Sequence, residues 1–147
     1  MAISSAICSS FKQELLQGKH SLDTSGNGGD TFKIALFTSS ASLGAATTVY
    51  STSNEISGTG YSAGGATLTN TGVGLDSTTA FTDFSDVSFT SASFTANGCL
   101  IYNTTMAGGT GTTNAVCAVA FGGDKTVSSG TFTIQFPTND ASSAIIR

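Results

Sequence analysis

Apolar residues along this chain recur mostly at every second position. TFKIALFT sets Phe32, Ile34 and Leu36 against Lys33, Ala35 and Phe37, and TFTIQF repeats the period with Phe132, Ile134 and Phe136. A period of two places alternate side chains on one face of a β-strand. Between these segments, TAFTDFSDVSFTSASFTANG spaces Phe81, Phe84, Val87, Phe89 and Phe94 among hydroxyl residues, as in strands with one wet face. CLIYN and AVCAVAF are continuous apolar runs joined by TTMAGGTGTTN, which predicts a long-looped hairpin buried on part of both faces. FGGD and SSG predict turns, ATLTNTGVGL one or two weak strands, and residues 39–65 a long loop or wandering edge. Pro137, the only proline, ends the ladder.

One segment departs from this period. In SSFKQELLQGKH, Ser10 and Gln13 have capping-box spacing, Phe11 and Leu15 are four apart, and Gly18 supplies a stop, which predicts a helix over Ser10–Gln17. So short a helix is marginal alone and needs cover for Phe11, Leu15 and Leu16. The elements together predict an all-β fold: a single-domain antiparallel β-sandwich or jelly-roll-like barrel of seven to nine strands with one short N-terminal helix. Residues 1–30 form an N-terminal arm carrying the helix and the turn-rich DTSGNGGD, and residues 31–147 form the sandwich, to which AIIR adds a possible last strand.

Composition fits strands better than helices. Charged residues make up 10% of the 147 positions, Ser and Thr about a third, and there are 18 glycines. The net charge is −4, and the cations Lys12, Lys19, Lys33, Lys125 and Arg147 are scattered, so no basic stripe exists to track phosphates and no nucleic-acid partner is expected. No apolar run approaches the roughly 18 residues of a membrane span. MAISSAICSSF lacks a basic n-region and a long apolar h-region, so the mature terminus of a protein made in a cytoplasm is expected, with any extracellular role arising through assembly. Cys8, Cys99 and Cys117 cannot all pair within one chain, and Cys99 and Cys117, lying in apolar runs, are expected to be small buried hydrophobes.

Catalytic chemistry finds little to work with. His20 is the one imidazole available as a general base, and beside a Gly-rich turn it is expected to be a solvated residue at a helix end. There is no CxxC or HxxxH spacing, so neither metal nor cofactor is expected. DTSGNGGD and FGGDKT match neither an EF-hand loop nor a P-loop and are read as turns. Asp83 and Asp86 interrupt an aromatic pattern and are read as turn or edge residues, and the sequon at Asn103 as unused.

The order FKQELLQGKH, DTFKIALFTSSASLGAATTVYSTSNEISGTGYSAGGATL, GCLIYN and AVAFGGDKTVSSGTFTIQFPTNDASSAIIR resembles a recurring family of small virion proteins of tailed bacteriophages, from about Phe11 to Ile146. SGTGYSAGG and FGGDKTVSSGTFTIQFP carry most of the resemblance. It implies a part of the particle rather than an enzyme, assembled in the host cytoplasm, and transfers no catalytic motif. The expected role is a homo-oligomeric capsid decoration or cement protein on the major capsid protein lattice, with Phe11, Leu15 or Leu16 anchoring it; the alternative for the helix is that it caps its own sandwich. The alternative is a tail, neck-fibre or receptor-binding component in which Tyr61 of the SGTGYSAGG loop stacks on a sugar, against the plainer reading of Tyr61 as a loop anchor on the rim.

Overall fold

The computed structural model describes residues 2–25, 29–106 and 113–147. In chain order the elements are β1 (Ala6–Ile7), α1 (Ser9–Leu16), β2 (Phe32–Phe37), β3 (Ala66–Thr67), β4 (Asn70–Asp76), β5 (Thr79–Phe84), β6 (Val87–Asn103) and β7 (Asn114–Ile134). All pairings between these strands are antiparallel, in a five-stranded sheet ordered β1-β7-β6-β2-β3 and a separate β4–β5 hairpin. The fold is all-β with one short helix, as the sequence predicts. The described strands divide five to two, whereas a jelly roll needs two sheets of comparable size.

β6 and β7 dominate. The predicted hairpin forms with Ile101 opposite Cys117 and Asn103 opposite Asn114, and both apolar runs are buried. Its tip, residues 107–112, lies outside the described residues, as do residues 26–28 of DTSGNGGD. The two turns predicted in FGGD and SSG are not chain reversals: β7 runs through both for 21 residues. Ala96 faces Lys125 while Gly98 faces Ala120, so Phe121 to Asp124 form a bulge opposite Asn97, whose amide donates to Asp124 at 2.8 Å. A second irregularity sets Ser129 (φ 49°) near Ser91 (φ 48°). Turn-prone residues here make bulges because β6 lies alongside to keep the pairing.

The ribbon made by Val87–Ala96 and Lys125–Ile134 has two unlike faces. Phe94 packs on Phe132 and Tyr61 on both Phe89 and Phe94, while hydroxyl pairs Ser88–Thr133 and Thr95–Thr126 line the wet side. In β2 both faces are covered, so Ala35 and Phe37 are as buried as Ile34 and Leu36. Phe84 joins the layers, meeting Phe32 of β2 at 5.6 Å and Phe136 at 5.8 Å between ring centroids. The last residues add a single bridge, Thr82 to Ile146, rather than a strand.

Asp86 is exposed in the connection between β5 and β6, the turn position expected of it, whereas Asp83 lies inside β5. Asp83 is fully buried, and its carboxylate accepts the N–H of Phe84 at 2.8 Å and of Ile145 at 3.1 Å, pinning the C-terminal segment to β5. Asp86 accepts the N–H of Phe136 at 2.8 Å. Burial holds the Asp83 carboxyl above the usual carboxylate range. The chain after β7 has no strand partner of its own there, and these two acids supply its acceptors.

Candidate docking surface

α1 begins at Ser9 with Cys8 as the N-cap and no side-chain cap, so the Ser10–Gln13 capping box does not form; the Ser10 hydroxyl turns to the carbonyl of Thr47 at 3.5 Å. The C-terminal stop works as predicted. Gly18, at φ 70°, donates to Leu15, and Lys19 donates to Glu14, the paired bonds of a Schellman motif. That turn folds His20 back under the helix against Phe11, ring to ring at 4.8 Å.

Phe11 therefore belongs to the core, at 1% exposure, and cannot anchor a partner. Leu15 at 39% and Leu16 at 92% remain outside. On the β4–β5 hairpin, Val73 at 60% and Leu75 at 72% are also exposed; their cross-strand partners are Thr82 and Ala80. These four are all but one of the exposed large apolar side chains among the described residues. A groove of about 530 Å³ runs between helix and hairpin, floored by Ile7, Leu15, Leu22, Val73 and Phe81, with Lys12 and Arg147 at its rim. Leu15 and Val73 line this groove, while Leu16 and Leu75 stand exposed on the same two elements outside it; exposed apolar side chains so grouped on a hydroxyl-coated domain mark a contact surface.

Tyr61 does not point outward. Its hydroxyl donates to Glu55 Oε1 at 2.6 Å and accepts the backbone N–H of Leu36 at 2.9 Å, standing in for a strand residue beside β2. Glu55 Oε1 also accepts the N–H of Gly64 at 2.7 Å, and Oε2 accepts the Tyr50 hydroxyl at 2.6 Å. Tyr102 donates to the carbonyl of Gly64 and stacks on Tyr50 at 4.3 Å. The plainer reading of Tyr61, a loop anchor, is the correct one. SGTGYSAGG is an internal clasp that fastens residues 50–65 onto β2 and β6, and sequence reasoning missed Glu55 as its centre.

Burial raises the titration of all three tyrosines, with Glu55 adding to the effect at each. A phenol whose folded value lies above its unfolded 10.0 contributes stability that is present below that pH and lost as pH rises past it. The expected result in an alkaline titration followed by tyrosinate absorbance is that the three ionise together, as the fold opens. Separate titration of any one near pH 10.0 in the folded chain would contradict the clasp.

His20 is buried rather than solvated. The Asn103 carbonyl oxygen accepts the N–H of Thr105 and of Met106, so its amide nitrogen faces Asp30 at 2.6 Å and His20 Nδ1 at 2.9 Å. Nδ1 is thus the acceptor, and Nε2 carries the proton given to Glu14 at 2.7 Å. With both ring nitrogens engaged, His20 has no lone pair left to activate a nucleophile. The same network buries the side chain of Asn103, so the sequon is closed in the folded chain. Cys99 and Cys117 are buried hydrophobes as expected, and Cys8 is buried with them. Burial pushes the Cys8 thiol up to about 11 and Cys99 to about 12, which keeps both protonated at neutral pH. Among the described residues no group of three or more potential metal ligands assembles, and no helix is long and apolar enough to cross a membrane.

Comparison of the chain with protein-family models, with curated proteins and with solved structures found no match.

Proposed function

We propose that this chain is a structural component of a tailed-bacteriophage particle, a capsid decoration or cement protein that acts by protein–protein contact. The observation that carries this reading is the division of labour among its side chains. The groups with chemical potential, His20, Glu14, Glu55, Asp83 and the three thiols, are engaged or buried inside the fold, while the exposed apolar side chains gather on the helix and hairpin. A protein built this way offers surface rather than reactivity. The hydroxyl-rich, weakly charged exterior suits a chain packed at high density beside copies of itself, where like charges would repel. The sequence resemblance to small virion proteins points the same way.

The second reading, a tail or neck component, shares the sequence resemblance and the SGTGYSAGG loop but loses Tyr61 as a sugar platform, because that ring packs on Phe89 and Phe94 and its hydroxyl is committed to Glu55 and Leu36. Copy number in purified virions separates the two. A lattice protein is present at a simple fraction of the major capsid protein, whereas a tail component is present at about a dozen copies or fewer.

A further inference from the structure

We propose that His20 is a proton-controlled latch: the neutral ring holds the base of the β6–β7 hairpin loop closed, and a second ring proton releases it. This inference does not depend on the particle reading, since it concerns the isolated chain.

The latch joins α1, the connection from α1 to β2, and the mouth of the hairpin, where Asn103 at the end of β6 faces Asn114 at the start of β7. Glu14 holds one side. Its Oε2 accepts Nε2–H of His20 at 2.7 Å, and its Oε1 accepts the side-chain amide of Asn114 at 3.0 Å. Asn103 holds the other. One amide hydrogen goes to Asp30 Oδ2 at 2.6 Å and the other to His20 Nδ1 at 2.9 Å, while the amide oxygen accepts Thr105 N–H at 2.9 Å and Met106 N–H at 3.0 Å. Both hydrogens and the oxygen of Asn103 are in use, so its amide has one orientation that satisfies every partner.

A second proton on the ring must go to Nδ1, where it points N–H at N–H. Asn103 then has two responses. Turned end for end, it offers its oxygen to the ring, but that oxygen also faces the Asp30 carboxylate and its hydrogens face those of Thr105 and Met106. Swung aside, it leaves all four partners. Either way Thr105 and Met106 lose their acceptor, and a buried N–H without one is unfavourable. Met106 adds to the release. Its φ is 41° with the side chain 2% exposed, a backbone that an L-residue keeps only while its surroundings hold it there. The Glu14 side is unaffected, because Nε2 carries a proton in both forms of the ring.

The charged groups facing this network are Glu14 from α1 and Asp30 from the connection, while β6 and β7 present the neutral Asn103 and Asn114. The neighbouring Lys19 forms no ion pair with either acid among the described residues. Neither acid opposes a ring charge; the amide hydrogens at Nδ1 do. The closed latch holds one ring proton and the released latch two, so by linkage the latch is present where the ring is neutral and is lost as pH falls through its titration.

The test is an NMR titration of the purified full chain from about pH 8 to about pH 5, across the ordinary imidazole range. The ring nitrogens of His20 are expected to pass from the Nε2–H form to the doubly protonated form. In the same step, solvent exchange of the Thr105 and Met106 amides, corrected for hydroxide concentration, is expected to rise about tenfold or more, while the Asn114 side-chain amide keeps its shift. In His20→Gln, whose side chain can accept from Asn103 and donate to Glu14, the step at Thr105 and Met106 is expected to vanish. A ring that gains its second proton with both amides unchanged would overturn the proposal, as would a ring that stays neutral until the whole chain unfolds. The same step persisting in folded His20→Gln would assign it to Glu14 or Asp30 and equally overturn it.

Discussion

Gly65→Ala is expected to destabilise the fold by about 3–5 kcal/mol, whereas Gly18→Ala, at nearly the same φ, is expected to remove only about 1 kcal/mol. Gly65 has φ 72° and Gly18 φ 70°, so the left-handed backbone penalises alanine similarly at both. They differ in space. A Cβ on Gly18 meets nothing within 4 Å, while one on Gly65 falls 1.8 Å from the carbonyl oxygen of Ile34 and 2.6 Å from its carbon. Ile34 pairs with both Ala66 and Ile101 in the centre of the sheet, so it cannot retreat without breaking the ladder on one side or the other. Urea unfolding of the two variants measures the difference. Equal midpoints would mean that residues 58–65 do not lie against β2 as described.

Removing the carboxylate at the heart of the clasp has a comparable effect. Glu55→Ala leaves two tyrosine hydroxyls and the N–H of Gly64 without their acceptor, and a group buried without its partner costs about 1–3 kcal/mol. The expected loss is about 3–5 kcal/mol, a large share of the stability of an ordinary domain. Glu55→Gln keeps one acceptor oxygen and is expected to lose about 1–2 kcal/mol, since the bonds it retains are no longer charge-assisted. The chain has three tyrosines and no tryptophan, and all three tyrosines are in this cluster. Intrinsic tyrosine fluorescence therefore reports the clasp itself, and its change in the folded Glu55→Gln variant is a second readout of the same bonds. Wild-type stability in Glu55→Ala would show that the tyrosines stand without the glutamate.

The strands were legible because burial has a period. Phe32, Ile34 and Leu36, the apolar runs around Ile101 and Cys117, and the helix stop at Gly18 all announce themselves through spacing and residue type alone. What spacing cannot supply is the partner across the fold. Gly122–Gly123 and Ser128–Ser129 carry turn chemistry, yet β6 runs beside them and converts the turns to bulges. Phe11 has the amphipathic spacing of an anchor, yet His20 and the sheet cover it. The buried polar groups show the same gap. Asp83 pairs with a backbone group 62 residues away and Asn103 with His20 at 83, separations no local pattern encodes. Glu55 was passed over among nine acidic residues because its ligands, Tyr50, Tyr61 and Gly64, become a set only when the loop closes on β2. Within the docking surface, Leu15 and Leu16 were readable from the helix, while Val73 and Leu75 were hidden in a weak strand whose placement beside α1 is a tertiary fact.

The proposal that this chain works as a structural part of a particle is tested most directly by quantitative mass spectrometry of purified virions, measuring its molar ratio to the major capsid protein. The expected result is a ratio near one to one, or a simple lattice fraction of it, retained after the particles are washed at high salt. Absence of the chain from particles whose host cells contain it in quantity would contradict the account.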